Sequence, residues 1–274
     1  LKMMYMDFSF TQNLFWQIMV NYLLKKSYQR KNFKEIEFDD LWNKDGVFTT
    51  MWIYNKPPKI LFFKTHIDNL IKSLKAYKIF EKGIKSKILK LINENIDKTK
   101  SYNHLLRVAL NKKTISISLR DRVKPKQKFG IKLVHYERVK PEYKNLKYKK
   151  ILGYLSKMNT SKEDIALCVN DKIFETGTSN LLFVKKNKIY SAKNKYYRGT
   201  NLKFYEKKFN IIKKNIYLKE LNQFDEILLV GSGKGVVSTS YIVDNNWKRR
   251  KNKIFNSMYK TFEKEFKKEK YIFN

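Results

Sequence analysis

Hydrophobic positions recur along this chain with two periods, and the switches between them lay out its elements. After the turn signal Asp45-Gly46, Val47 to Tyr54 reads as a strand, Asn55 to Pro58 as a turn and Ile60 to Phe63 as a returning strand. From His66 to Phe80 the apolar residues Ile67, Leu70, Ile71, Leu74 and Tyr77 keep helical spacing, and a second helix is expected over Ile84 to Ile96. Leu105 to Leu110 and Thr114 to Leu119 flank Asn111-Lys112-Lys113 as the arms of a hairpin. Strands and helices interleaved in this way indicate an α+β layer. Ahead of them, Phe8 to Leu24 places Phe10, Leu14, Phe15, Ile18, Met19, Tyr22 and Leu23 on one helical stripe. Thr11, Gln12, Asn13, Gln17 and Asn21 make that stretch too polar to span a bilayer, and no small-residue cleavage site follows it. It reads as an amphipathic helix docked on the domain. No membrane association is expected, and the expected location is the cytoplasm.

Arg120 to Phe129 is polar and holds Pro125, so a boundary is expected there, with a small α+β domain over residues 1–121 and a larger one over 122–274. Strands follow at Ile131 to Tyr136, Ile165 to Asn170, Ile173-Phe174, Asn180 to Val184, Ile189-Tyr190, Glu226 to Val230 and Val236 to Val243. Tyr148, Ile151, Leu152, Leu155 and Met158 mark a short helix, Leu202 to Ile212 a second and Asn252 to Phe266 a charged third. The strand ending at Val230 runs into Gly231-Ser232-Gly233-Lys234-Gly235.

Composition narrows the chemistry. With 42% hydrophobic residues in 274, the chain buries a core, which excludes a disordered protein. The single Cys168 excludes a disulfide framework, and His66, His104 and His135 have no cysteine or histidine at ligand spacing, so no metal site is expected. The net charge of +35 suggests nucleic acid at first sight, but only 8 of the 60 basic residues are the arginines that bidentate phosphate contacts favour. The lysines are spread along the whole chain, beside an abundance of Asn, Ile, Phe and Tyr that tracks AT-rich codons. Nucleic acid is therefore not the expected partner; a pull on small anionic substrates is.

Four segments carry candidate chemistry. They are Asp45-Gly46-Val47-Phe48-Thr49-Thr50 with His66-Ile67-Asp68-Asn69-Leu70, then Asn145-Leu146-Lys147, then Glu175-Thr176-Gly177-Thr178-Ser179-Asn180 ahead of an apolar strand, then Asp225 to Gly233. In this order they resemble the class IV family of pyridoxal-phosphate enzymes, which includes branched-chain and D-amino-acid aminotransferases and 4-amino-4-deoxychorismate lyase. The resemblance runs from about Asp45 to Val243. It implies an α+β, two-domain fold, a small α/β sandwich followed by a larger pseudo-barrel domain that binds the cofactor. It also implies a homodimer.

Pyridoxal 5'-phosphate needs a Schiff-base lysine, an acid beside its pyridine nitrogen, and N–H and hydroxyl donors around its phosphate. In the family the reactive lysine follows an apolar residue at a strand end and precedes a helix, so the resemblance points to Lys147, after Leu146; Lys150 and Lys144 are the alternatives. With Lys147 the interval to Glu175 is shorter than the family's by about one helical turn. Glu175 is the expected partner of the pyridine nitrogen. Gly199-Thr200-Asn201, ahead of a helix, and Ser232-Gly233 are the expected phosphate cradle, with Thr200, Asn201, Ser232 and Gly233 as its ligands. Asn69 stands where the family usually has an arginine gripping that phosphate, a charge-assisted contact of ~1.5–3 kcal/mol, and Lys203 and Lys234 are candidates to replace it. Trp52, Lys112-Lys113 and Asn201-Leu202 also stand where the family has arginines.

Phe48-Thr49-Thr50 is similar to the lyase, since the transaminases more often have a glutamate at the position of Thr49. The resemblance thus implies release of pyruvate and 4-aminobenzoate, a step of folate synthesis. The alternatives are a branched-chain or D-amino-acid transaminase using 2-oxoglutarate, and an inactive relative or basic binding protein on the same fold.

Overall fold

The computed structural model describes residues 21–268, so the helix expected from Phe8 onward lies outside the described residues as far as residue 20. Tyr22, Leu23 and Leu24 belong instead to strand β1 (Tyr22–Gln29). With β2 (Glu35–Ile36), β3 (Gly46–Asn55), β4 (Lys59–Ile60), β5 (Tyr102–Asn111) and β6 (Thr114–Asp121) it forms a sheet of order β2-β1-β6-β5-β3-β4. Every neighbouring pair in it is antiparallel. Helices α1 (Phe63–Ala76) and α2 (Ile84–Asn95) cover one face. Val47, Met51 and Ile53 point from β3 into that core, where Ile67, Leu70 and Leu74 of α1 and Ile88 and Ile92 of α2 meet them. The spacings are those of a strand and of helices. Phe48, Trp52 and Tyr54 leave β3 on the other side and are packed by the rest of the chain. Both faces of β3 are thus covered, which is why it reads as a nearly continuous apolar run.

The returning strand expected over Ile60 to Phe63 is cut short. Phe62 takes a left-handed conformation (φ 54), which ends the ladder at Ile60 and turns the chain into α1 at Phe63.

The second sheet uses residues 130–243. Its strands are β7 (Gly130–His135), β8 (Glu163–Val169), β9 (Lys172–Thr176), β10 (Asn180–Lys185), β11 (Lys188–Ala192), β12 (Ile211–Lys214), β13 (Ile216–Tyr217), β14 (Glu226–Gly231), β15 (Gly235–Ser238) and β16 (Tyr241–Val243). The main path is β12-β11-β10-β9-β8-β7-β16, with β13 on β9, β14 on β10 and β15 on β14. Helices α3 (Lys149–Leu155), α4 (Thr200–Glu206) and α5 (Lys253–Lys268) pack around it. The helix expected over Leu202 to Ile212 stops at Glu206, because Ile211 and Ile212 pair with Ile189 and Tyr190 at the sheet's edge. The strand expected over Val236 to Val243 splits where it changes neighbour: the Thr239 N–H donates to Ile227 O of β14, the Ser240 N–H to Phe129 O ahead of β7.

Leu41, Phe48, Ala109, Leu146, Tyr148 and Ile151 form an apolar plug between the two sheets, with Ile165 and Leu167 of β8. The candidate site lies beside it. Among the described residues no helix is long and apolar enough to cross a membrane.

Candidate active site

Between the C-terminal half of β9, the ends of β10 and β14, and the β3–α1 side of the first sheet lies a narrow cleft that opens to solvent. Thr49, Thr50 and His66 line it from the first sheet's side; Lys144, Glu175, Thr200 and Ser232 line it from the other.

The backbone decides which lysine enters. Residues 144–146 run extended along the start of β3: the Phe48 N–H donates to Lys144 O (2.9 Å) and the Leu146 N–H to Gly46 O (3.0 Å). Side chains alternate on extended backbone, so Lys144 shares a side with Leu146, which is fully buried against the plug. The chain then turns as Asn145 Oδ1 accepts the Lys147 N–H (3.1 Å). This sends the Lys147 ammonium outward to Asp45 (3.1 Å) and to Asn43 O (3.1 Å), where its side chain is 37% exposed. Lys150, on α3, is exposed beside the Tyr136 ring. Of these three lysines only Lys144 lines the cleft. Lys147, expected there from its apolar predecessor, is held at the surface by the Asp45 carboxylate. Lys144 lies 5.0 Å from the Phe48 ring centre and 5.5 Å from that of Tyr197. Burial pushes its ammonium down to about 8; Arg138 and Arg107 add to the shift and Glu175 opposes it.

Glu175 does reach the cleft, at the end of β9. Its Oε1 accepts from Arg138 Nε (2.7 Å) and its Oε2 from the Tyr197 N–H (3.2 Å). Burial draws this carboxyl above its ordinary value, and Arg138, the Tyr197 N–H and Lys144 draw it back. Burial alone would lower the Arg138 guanidinium, yet the Glu175 carboxylate leaves it above its ordinary value. Asn180, the cross-strand partner of Glu175, fixes the neighbouring turn: its Nδ2 donates to Tyr197 O (2.6 Å) and its Oδ1 accepts the Gly199 N–H (3.0 Å). A Cβ on Gly199 would fall 2.7 Å from that Oδ1, so a side chain there would have to push the Asn180 amide off its bond to the Gly199 N–H.

Thr200, Asn201 and Ser232 line the cleft; Gly233 does not, although Gly231 does. The Gly233 carbonyl faces the other way and accepts from Arg122 Nε (2.7 Å). Asn201 Nδ2 ties α4 to the carbonyls of Gly231 (3.3 Å) and Gly235 (3.4 Å), and its buried Oδ1 has no partner among the described residues. Lys234 is spent on the fully buried Asp164 carboxylate (2.8 Å) and on Thr178 (2.8 Å). Lys203 donates to Asn69 Oδ1, and Asn69 Nδ2 lies 3.5 Å from Thr200 Oγ1.

His66 joins the two sides of the cleft, with Nδ1 2.8 Å from Thr49 Oγ1 and Nε2 3.1 Å from Ser232 Oγ. Burial, helped by Lys144, pushes its ring down to about 3, so it is neutral at physiological pH. Below about pH 6.5 the unfolded chain binds a proton that the folded site refuses. Stability is expected to fall through this one group by ~1.4 kcal/mol per pH unit, down to about pH 3. In urea unfolding at stepped pH, His66→Gln should lose that share of the slope.

Sequence reasoning missed Arg138 and Tyr197, which line the cleft, and Arg107, the cross-strand partner of the cleft residue Thr50. In a chain with 52 lysines to 8 arginines, an arginine is itself a signal, because lysine cannot supply its fork of donors. Among the described residues no group of His, Cys, Asp and Glu could hold a metal ion.

A cleft between two sheet layers, lined by a half-buried amine, a paired carboxylate and a row of hydroxyls, defines an enzyme-like site on an α+β scaffold. The family model for amino-transferase class IV matches residues 46–242, and the chain belongs to that family. Comparison with curated protein sequences gives no match. Solved structures show the same fold. The branched-chain aminotransferase of the archaeon Thermoproteus uzoniensis, solved with norvaline, is 14% identical with TM-score 0.71 over 87% of this chain and 93% of that one. The Escherichia coli branched-chain aminotransferase is 14% identical with TM-score 0.70, over 87% and 92%. The T.th. branched-chain aminotransferase complexed with N-(5'-phosphopyridoxyl)-L-glutamate is 13% identical with TM-score 0.67, over 87% and 93%.

Proposed function

We propose that this class IV pyridoxal-phosphate enzyme is a 4-amino-4-deoxychorismate lyase, releasing pyruvate and 4-aminobenzoate from an anionic amino substrate. The donor set of the cleft fits the cofactor. Lys144 is the primary amine for its aldehyde, in place of Lys147. Glu175 is the acid for its ring nitrogen, and Thr200 and Ser232 are hydroxyls for its phosphate, with Asn201 beside them.

The observation that carries the lyase reading is Arg107. It is the cross-strand partner of the cleft residue Thr50. Its guanidinium lies 3.7 Å from the Trp42 ring centre and 5.2 Å from that of Phe48, and its buried Nε and Nη2 have no hydrogen-bond partner among the described residues. Burial lowers it to about 10. A buried guanidinium with idle donors on an aromatic wall suits a carboxylate carried by a flat, unsaturated ring. Arg107→Met is therefore expected to raise KM about 10- to 100-fold with a smaller change in kcat, as measured by steady-state kinetics.

When bound, pyridoxal 5'-phosphate supplies an aldehyde that condenses with amines and a ring that withdraws electrons. The chain's residues do the rest. The Lys144 amine, with its lowered affinity for protons, is easily neutral beside the substrate amine. It then takes the proton from the carbon bearing that nitrogen, as general base. Glu175, held by Arg138 and the Tyr197 N–H, keeps a proton at the ring nitrogen. Arg107 holds the substrate carboxylate while pyruvate departs and the six-membered ring becomes aromatic.

The test is to incubate purified protein with aminodeoxychorismate and no keto acid. Fluorescence of 4-aminobenzoate and an equal yield of pyruvate support the lyase. No product there, but amino transfer from branched-chain amino acids to 2-oxoglutarate, sinks it in favour of the transaminase, the reading that the solved relatives' activity favours. No visible absorbance with added pyridoxal phosphate sinks both.

A further inference from the structure

Two hydroxyls that face the cleft have buried partners behind them. An ammonium can only donate, so Lys203 fixes the Asn69 amide with Oδ1 toward itself and Nδ2 toward Thr200 Oγ1. A hydroxyl that accepts from behind keeps its own proton for whatever lies in front. Ser232 can be set in the same way. With the single ring proton of neutral His66 on Nε2, Ser232 accepts it and Thr49 donates to Nδ1; with the proton on Nδ1, both bonds reverse. The charges acting on Lys203 are Arg198 and Lys72 on one side and Asp68 and Glu206 on the other; these balance, so the neighbourhood is positive by the one unit that Lys203 itself carries.

We propose that Lys203, through Asn69, and His66 are positioning residues that turn Thr200 and Ser232 into paired donors for a phosphate monoester, with Lys203 supplying the nearby cation. This rests on the pyridoxal-phosphate reading of the cleft and adds how the chain holds the phosphate with an asparagine at position 69. Because the hydroxyl protons face the cleft, a dianion is favoured there over a neutral group.

The test compares apo protein binding pyridoxal 5'-phosphate with binding pyridoxal, which lacks the phosphate, by quenching of tryptophan fluorescence. The wild type is expected to prefer the phosphorylated form. Lys203→Met and Asn69→Leu should each cut that preference about tenfold, with pyridoxal affinity unchanged, and Lys203→Arg should retain most of it. Lys72→Met, which removes an exposed charge of the same sign, is the control. In protein labelled with ¹⁵N-histidine, His66 should carry its proton on Nε2 once inorganic phosphate is added. An unchanged preference in Lys203→Met, an equal loss in Lys72→Met, or an Nδ1 proton with phosphate present overturns the proposal. A wild type that binds neither compound overturns the pyridoxal-phosphate reading itself, whereas one that binds both without preferring the phosphate overturns this inference alone.

Discussion

Lys144→Met is expected to yield a protein that takes up no covalent cofactor yet, compared with cofactor-free wild type, unfolds at a higher temperature. The two effects have one cause. The Lys144 ammonium is held down to about 8 by burial, against 10.5 in the unfolded chain. Below pH 8 the folded protein therefore carries a charged group in a place that disfavours charge, and the penalty fades as pH rises from 8 toward 10.5. Methionine fills a similar volume without the charge, for a gain of about 1–3 kcal/mol at pH 7, or a few degrees in a chain of this size. Calorimetry of cofactor-free proteins at pH 7 and pH 9.5 should show the gap narrowing at the higher pH. Lys147→Met breaks an exposed pair with Asp45 and an exposed bond to Asn43 O and should change stability by less than about 1 kcal/mol, with cofactor uptake intact. Equal stability of Lys144→Met and wild type at pH 7 would mean that the lysine is better solvated than its surroundings indicate.

Glu175→Gln should have the next largest effect, on both catalysis and folding. The Arg138–Glu175 pair is buried, with side chains 2% and 7% exposed. Removing the anion leaves the guanidinium to Pro141 O, Tyr143 O and an amide oxygen, with no charge to balance it. Breaking one side of such a pair costs about 3–5 kcal/mol, and the retained amide keeps this variant near the lower figure. Activity is expected to fall by about 10²–10³-fold, because the ring nitrogen loses its acid. Lys144 also loses the one negative neighbour that supports its proton, so it should titrate below 8. Urea unfolding, 4-aminobenzoate release and a pH titration of amine labelling measure the three effects separately. Full activity in Glu175→Gln would remove this carboxylate from the chemistry.

Much of the fold was legible where pattern and packing agree. Strand β3 and the β5–β6 hairpin showed because their inward residues face a continuous core. Helix α2 showed because Ile84, Ile88, Leu91 and Ile92 keep one stripe. Strand β1 did not: Lys25-Lys26 interrupts its alternation, and its ladder with β6, more than its own composition, makes it a strand. The same holds for β12, recruited by the edge of β11.

The site divides along a similar line. Glu175, Thr200, Asn201 and Ser232 all line the cleft, because glycine-rich turns leave them few directions to point. Which lysine lines it is not legible in the sequence, since four lysines crowd residues 144–150 and the choice among them depends on alternation along a short extended stretch that only pairing with β3 creates. One signal was available. The interval from Lys147 to Glu175 is about a turn too short, and moving to Lys144 restores three residues of it.

Everything proposed for this site depends on the amine of Lys144 being the one that meets the cofactor's aldehyde. The most direct measurement is borohydride reduction of the cofactor-loaded protein, followed by protease digestion and mass spectrometry. A pyridoxyl group on Lys144 is the expected result. The same mass on Lys147 or Lys150, or on no lysine of residues 144–150, would contradict it.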